Sequence, residues 1–339
     1  MNRANLKSWK WPRSRQPAVD VVFVGAEMVH LTALLGGLAL LALGAEGTVR
    51  GARSFGLRIG LSPVIVGLTI VAFGTSAPEL VVSTEATLEG VDGIALGNVV
   101  GSNIANVLLI LGICALVRPM ETHGRMLRVE MPLLIGVSAL ALGLLALGQF
   151  GRPVGVLLVA GLVAYMIVTV KLARAESAEV EAQIAGTQPS ASARLWLDLG
   201  VTGLGLALLI SGGALFLRGA IGSAESLGVS PAVIGLSVVA IGTSLPELAT
   251  SLLASIRGHG DIAIGNIVGS NLFNLLGVLG IAAVVDPISP AGVGWRDLGV
   301  MFASTVGLSF FLHTRRQLER WEGATFLAAY AIYIYSIVP

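Results

Sequence analysis

Charge is what this 339-residue chain has least of: Asp, Glu, Lys and Arg make up 12% of it, against about a quarter in a soluble domain. With 55% hydrophobic residues and a mean hydropathy of +0.86, so little charge excludes a water-soluble globule, and the chain reads as an integral membrane protein. Cysteine occurs once, as Cys114 in an apolar run, which excludes a disulfide framework, a thiolate metal site and a redox pair. No histidine falls in the apolar centre, and no HExxH, serine–histidine or paired-aspartate arrangement lies at membrane depth. An intramembrane protease is thereby excluded, no enzyme activity is expected, and no cofactor motif is present. A net charge of +1 argues against nucleic acid as a partner. No apolar run precedes a small-residue cleavage site, so no cleaved leader is expected.

Apolar runs, by contrast, fill the chain. Crossing a hydrocarbon core takes about 20 residues, and ten such runs lie near 28–46, 62–88, 94–117, 129–148, 153–172, 196–217, 230–256, 262–285, 296–313 and 323–338. An all-α polytopic membrane protein with ten transmembrane helices is expected, its 44 glycines letting helix backbones approach closely. Most connections are short and polar. The long one, at 173–194, is rich in Ala, Glu, Ser and Gln and divides the chain into two halves of five spans.

The halves repeat. Sliding the chain by 168 residues sets Ser62 on Ser230 and runs without a gap to Pro119 on Pro287, with about half the pairs identical. GTSAPEL meets GTSLPEL, and GNVVGSNIAN meets GNIVGSNLFN. An odd number of spans per repeat sends the second copy through the membrane in the opposite sense, the inverted-repeat plan of many secondary transporters. The expected organisation is a basic tail at 1–27, repeat one at 28–172, a cytoplasmic linker at 173–194 and repeat two at 195–339. With both termini outside, the inside connections hold most of the basic residues, among them Arg50, Arg53, Arg118, Arg125 and Arg257, and the outside loops only Arg152, Arg218 and Arg296. That satisfies the positive-inside rule for a multi-pass protein of the inner (plasma) membrane. The first twenty residues, with five Lys or Arg, break it: either this tail is translocated despite its charge, or the natural start is Met28.

Within these runs Glu79 and Glu247 occupy equivalent positions, and a charge at mid-membrane is costly enough to imply function and a partner. A two-fold axis in the membrane plane brings them face to face, where they repel unless a cation or proton lies between them. Pro78 and Pro246 break their helices and free carbonyls near 72–74 and 240–242. Thr75 and Ser76 share a face with Glu79, as Thr243 and Ser244 do with Glu247. Asn98, Ser102 and Asn106, and again Asn266, Ser270 and Asn274, recur every four residues. Carboxylates, hydroxyls, amides and carbonyls are hard oxygen ligands suited to Ca²⁺ or Na⁺ rather than zinc or copper. Asn98, Asn103, Asn266 and Asn271 are expected to cap or crosslink helices. Glu85 is expected at the interface, and Glu46, Glu130, Asp198, Glu225 and Asp297 near span ends as solvated groups.

With these two pairs of motifs the sequence resembles the cation/calcium exchanger superfamily, closest to its prokaryotic sodium/calcium exchanger branch, over nearly its whole length. The resemblance implies a secondary antiporter exchanging Ca²⁺ for Na⁺ by alternating access, with a Ca²⁺/H⁺ antiporter of the same superfamily as the alternative. It implies ion ligands at Ala72, Thr75, Ser76, Glu79, Ser102 and Asn106, and at Ala240, Thr243, Ser244, Glu247, Ser270 and Asn274, the alanines acting through their carbonyls. Some members carry aspartate where this chain has Asn274, so stoichiometry and potassium coupling stay open. The partners implied are Ca²⁺, Na⁺ and the lipid bilayer, with no resident cofactor. The sequence sets no oligomeric state; a monomer is compatible with it.

Overall fold

A computed structural model of the chain describes residues 16–122, 124–148, 150–183, 192–227, 240–288 and 293–337. Its elements run α1 (Gln16–Arg58), α2 (Val64–Thr75), α3 (Ala77–Leu88), α4 (Asp92–Val117), β1 (Met120–Glu121), α5 (Met126–Ala146), α6 (Arg152–Gln183), α7 (Ser192–Ser226), α8 (Ala240–Gly242), α9 (Leu245–Ile256), α10 (Gly260–Val285), α11 (Trp295–Arg315), β2 (Gln317–Leu318) and α12 (Arg320–Ile337). Among the described residues six helices are long and apolar enough to cross a membrane, or seven if α2 and α3, bent by 43° at their junction, form one broken span. The chain is thus a polytopic helical membrane protein. Residues 1–15 of the expected tail, 184–191 of the linker and 228–239 at the start of the seventh expected span lie outside the described residues.

Two expected boundaries shift. α6 continues to Gln183, past the expected span end at 172, because ARAESAEVEAQ is made mostly of strong helix formers. α1 likewise begins at Gln16, inside the expected tail.

Burial separates the helices into an inner and an outer set. The apolar windows of α4 and α10 are 78% and 89% buried, whereas those of α1, α6 and α7 are 22%, 28% and 28% buried. α10 reaches the centre by being thin. A Cβ on Gly67 of α2 would lie 2.6 Å from Ile262 O, one on Gly265 2.7 Å from Val64 O, and one on Gly269 2.5 Å from Leu68 O. α1 and α7 pair the same way, antiparallel, through Gly37, Gly44 and Gly51 on one helix and Gly205, Gly212 and Gly219 on the other. A Cβ on Gly44 would stand 2.6 Å from Leu209 N, and one on Gly205 2.4 Å from Thr48 N. Seven-residue spacing on both helices keeps these glycines on one shared seam.

The connections gather at two ends. At one, Met120 pairs with Leu318, Thr122 N–H donates to Arg316 O at 2.8 Å, Arg118 reaches Ile256 O at 3.3 Å, and Arg257 meets Glu46 at 2.8 Å. At the other, Ile288 N–H donates to Phe150 O at 2.9 Å, and Arg152 lies 3.8 Å from Asp286.

Several acidic residues expected as solvated are not. Glu130 is fully buried where α5 begins, accepting from Tyr165 Oη at 2.9 Å and Arg125 Nε at 3.4 Å. Asp198 is ion-paired with Arg58 at 2.5 Å, joining α7 to α1. Asp297 accepts the Gly294 N–H and the Tyr333 hydroxyl. Each lies at a span end, as expected, but partners drawn from distant segments cover it. Glu85 and Glu225 are exposed.

The α1–α7 seam generates a stability prediction. Gly205→Val must push two backbones apart and should cost about 1–3 kcal/mol. Gly203→Val, whose Cβ would meet nothing within 4 Å, should leave the melting temperature of the detergent-purified protein close to wild type.

Candidate cation site

Sequence breaks two helices at matching places. Pro78 and Pro246 lie in the first turns of α3 and α9, where a missing N–H is harmless to the new helix but withdraws the donor that Gly74 O or Gly242 O would otherwise receive. The junction residues Ser76 and Ser244 have nearly the same conformation, φ −83°, ψ 8° and φ −86°, ψ 9°. Each break ends one helix and restarts another in mid-span. Glu79 and Glu247 therefore stand in first turns, where the positive end of the helix dipole favours a carboxylate. Both are fully buried.

The two halves exchange hydrogen bonds. Ser76 Oγ donates to Glu247 Oε1 at 2.9 Å, and Ser244 Oγ donates to Glu79 Oε1 at 3.2 Å. Ser270 adds a donation to Glu247 Oε1 at 3.4 Å. Thr243 faces Glu79 and Thr75 faces Glu247. Each carboxylate is thus held by a serine hydroxyl from the opposite half, Glu247 also by Ser270 of its own half, and no Lys or Arg among the described residues pairs with either.

Three π-helical segments surround this centre, at Gly67–Val71, Ala105–Leu111 and Asn274–Val278. A π turn widens the helix by one residue and is frequent at functional sites. Asn106 lies inside the second and Asn274 opens the third. Both asparagines are fully buried with their amide nitrogens bound elsewhere: Asn106 Nδ2 donates to Asn271 Oδ1 at 3.0 Å, and Asn274 Nδ2 to Ser102 Oγ at 3.1 Å. Their carbonyl oxygens receive no hydrogen bond, nor do Glu79 Oε2 and Glu247 Oε2. Four buried oxygens, two from each repeat, are left as bare acceptors. A buried acceptor without a donor is costly, and a metal cation is what an acceptor-only set satisfies.

Eight of the twelve expected site residues, Ala72, Thr75, Ser76, Glu79, Thr243, Ser244, Glu247 and Ser270, join the hydrogen bonds around the two carboxylates, while Ser102, Asn106 and Asn274 lie in a second cluster with Asn103 and Asn271. Ala240, at the start of α8, has no described contact with the rest. One expectation needs correction: Ala72 O is not a free carbonyl, since it accepts the Ser76 N–H at 3.1 Å and the Thr75 hydroxyl at 3.4 Å. The break falls at Ser76, and the carbonyl that Pro78 leaves without its helical donor is that of Gly74. Asn98, Asn266 and Asn271 crosslink helices as expected, whereas Asn103 Nδ2 donates to Val99 O within its own helix; Asn98 and Asn266 also reach Thr243 and Thr75. Among the described residues no three of His, Cys, Asp and Glu gather to hold a metal; a cation here would be bound by two carboxylates and neutral oxygens.

Fold and site together define a membrane protein equipped to take a cation into its interior. The chain belongs to the sodium/calcium exchanger family, whose family model, described as sodium/calcium exchanger protein, matches residues 29–171 and 197–338. It is 39% identical over 291 residues to the inner membrane protein YrbG of Escherichia coli (82% of this chain and 87% of that one). It is 32% identical over 342 residues to the sodium/calcium exchanger MaX1 of Methanosarcina acetivorans (90% and 97%). A solved structure of the sodium-calcium exchanger NCX_Mj, soaked with 2.5 mM Na⁺ and 1 mM Sr²⁺, superposes with a TM-score of 0.81 at 29% identity, over 92% of this chain and 99% of that one. The protein is a cation/calcium antiporter, a transporter rather than an enzyme.

Proposed function

We propose that this antiporter exchanges Ca²⁺ for Na⁺ by alternating access at a single site between Glu79 and Glu247. The observation that carries this reading is the set of four bare acceptors, Glu79 Oε2, Glu247 Oε2, Asn106 Oδ1 and Asn274 Oδ1, each buried, with no basic partner on either carboxylate among the described residues. Ca²⁺ takes six to eight oxygens. Beyond these four, the hydroxyls of Thr75, Ser76, Thr243, Ser244, Ser102 and Ser270 and the carbonyl of Ala240 supply the rest. Several Na⁺ compete for the same oxygens, so that binding one cargo releases the other. The oxygens are more than proton carriage by two glutamates would need, which favours Na⁺ over H⁺ as the coupling ion.

The proposed architecture is ten spans in two inverted repeats of five, with repeat one at 28–172, the linker at 173–194 and repeat two at 195–339. Two features support it: the reciprocal hydrogen bonds between halves, and a family model that matches once on each side of the linker. The end bearing Arg53, Arg118 and Arg257 faces the cytoplasm, placing both termini outside the inner membrane. α1 and α7, joined backbone to backbone and mostly facing lipid, slide as a pair against the remaining helices and open the site to one side at a time.

Calcium efflux from proteoliposomes driven by an imposed Na⁺ gradient, with pH equal on both sides, tests the coupling. Efflux that needs a pH gradient instead would assign the protein to the Ca²⁺/H⁺ antiporters. In the same assay Glu79→Gln or Glu247→Gln should lower transport by about 100-fold or more, since an ion pair loses one partner, with membrane insertion preserved because a costly charge has gone. Wild-type transport in a folded mutant would remove the glutamates from the site.

Potassium should not be required. Two carboxylates balance one Ca²⁺ or two Na⁺, and Asn106 and Asn274 add no charge, so a further K⁺ would be buried uncompensated at a cost of several kcal/mol. Exchange measured in K⁺ and then in choline, under a clamped potential, should run at similar rates; an absolute K⁺ requirement would contradict this count.

Orientation is checked by single cysteines in a Cys114→Ser background. Glu121→Cys, at the arginine-rich end, should resist a membrane-impermeant maleimide in intact cells, and Asp286→Cys, at the opposite end, should label. The reverse pattern would invert the topology.

A further inference from the structure

Asn98 on α4 and Asn266 on α10 stand outside the twelve residues of the site, yet each is a junction that ends on one of its threonines. The Asn98 amide nitrogen donates to Glu79 O at 3.1 Å and to Ser83 Oγ at 2.9 Å, while its oxygen accepts the Thr243 hydroxyl at 3.3 Å. Asn266 repeats the arrangement. Its amide nitrogen donates to Ser251 Oγ at 3.0 Å, and its oxygen accepts the Thr75 hydroxyl at 3.3 Å. Ser83 and Ser251 are equivalent positions in the two repeats, both fully buried, so the same device is built twice. Each asparagine lies in one half of the chain and takes its threonine from the other.

The chemistry lies in where one proton points. A threonine hydroxyl has one O–H donor and two acceptor lone pairs. Were the asparagine carbonyl absent, the nearest strong acceptor for the Thr243 proton would be the Glu79 carboxylate that it faces, and for Thr75 that of Glu247. A hydroxyl turned that way would cover a carboxylate oxygen and aim its proton at a bound cation. Drawn outward to an asparagine, the same proton leaves both lone pairs for the ion. The amide nitrogens are engaged on neighbouring oxygens, so neither asparagine gains by flipping its carbonyl away. Thr75 has a second neutral acceptor, Ala72 O at 3.4 Å; among the described residues Thr243 has none.

From these contacts we infer that Asn98 and Asn266 are positioning residues, which hold the Thr243 and Thr75 hydroxyl protons away from the cation so that each threonine can serve as an oxygen ligand. The inference rests on the site reading given above. Because Thr75 keeps an alternative acceptor, Asn98 carries more of the effect than Asn266.

The test is equilibrium ⁴⁵Ca²⁺ binding to the purified full-length protein, with melting temperature recorded for every variant. Asn98→Leu should raise the Ca²⁺ Kd about 10-fold, the worth of roughly one hydrogen bond, and Asn266→Leu should raise it less. Thr243→Val should weaken binding similarly, and the double variant Asn98→Leu/Thr243→Val should be no weaker than Thr243→Val alone, because the asparagine acts only through that hydroxyl. Asn98→Asp, nearly the same shape and still an acceptor, should bind Ca²⁺ at least as tightly as wild type, and it keeps the test decisive if Asn98→Leu fails to fold. A wild-type Kd in Asn98→Leu, multiplied effects in the double variant, or weakened binding in Asn98→Asp would each overturn the positioning role. Glu79→Gln separates the two levels: if it retains wild-type Ca²⁺ binding, the site reading itself falls; if it loses binding while Asn98→Leu does not, only the positioning role falls.

Discussion

Two fully buried carboxylates, Glu79 and Glu247, with no basic partner among the described residues are the constraint around which the rest of this protein is arranged. In the interior of a membrane protein such a pair is far from neutral balance, and the chain answers it with oriented dipoles instead of positive side chains. Each glutamate stands in the first turn of a helix restarted in mid-span and takes a hydroxyl from the opposite half. These partners offset part of the charge, leaving room for a mobile cation. An arginine in their place would satisfy the carboxylates permanently and end the exchange.

Holding those dipoles in place explains features that otherwise look unrelated. Broken helices need neighbours that come close, and Gly67, Gly265 and Gly269 bring α2 against α10 at backbone contact. Backbone groups freed by prolines and π segments are tolerated at this depth only where they are enclosed by protein or line a site, which is why the most deeply buried helices, α4 and α10, lie beside the breaks. The outer pair, α1 and α7, packs on its own glycine seam with a small apolar cluster of Leu41, Ala45 and Leu209, apart from the main core.

How much of this was legible in the sequence depended on whether a feature leaves a pattern. The repeat offset, the paired prolines and the two glutamates do, and they led to the network in which Ser76, Ser244 and Ser270 hold the carboxylates. Helix propensity in ARAESAEVEAQ was equally visible, yet its polarity made it read as a linker, and α6 runs on into it. Glu130 was misread because a carboxylate near a span end is ordinarily wet; its partner Tyr165 comes from the next helix and no local pattern announces it. Nor does spacing say which atom of an asparagine faces inward. Asn98 and Asn106 occupy one face at the same interval, but only contacts with Thr243 and Asn271 distinguish a support from a candidate ligand.

Matching sequences also need not make matching halves. Ser102 and Ser270 are equivalent, yet Ser270 donates to Glu247 whereas Ser102 donates to Val99 O and accepts from Asn274. Asn106 and Asn274 are equivalent, yet one binds Asn271 and the other Ser102. Hydroxyls and amides have several ways to satisfy themselves at little difference in energy, so small displacements between halves select different partners. Glu247 consequently takes serine hydroxyls from both halves, Ser76 and Ser270, and Glu79 takes its serine, Ser244, from the opposite half. The two carboxylates thus sit in different hydrogen-bond environments although the motifs that build them are nearly identical.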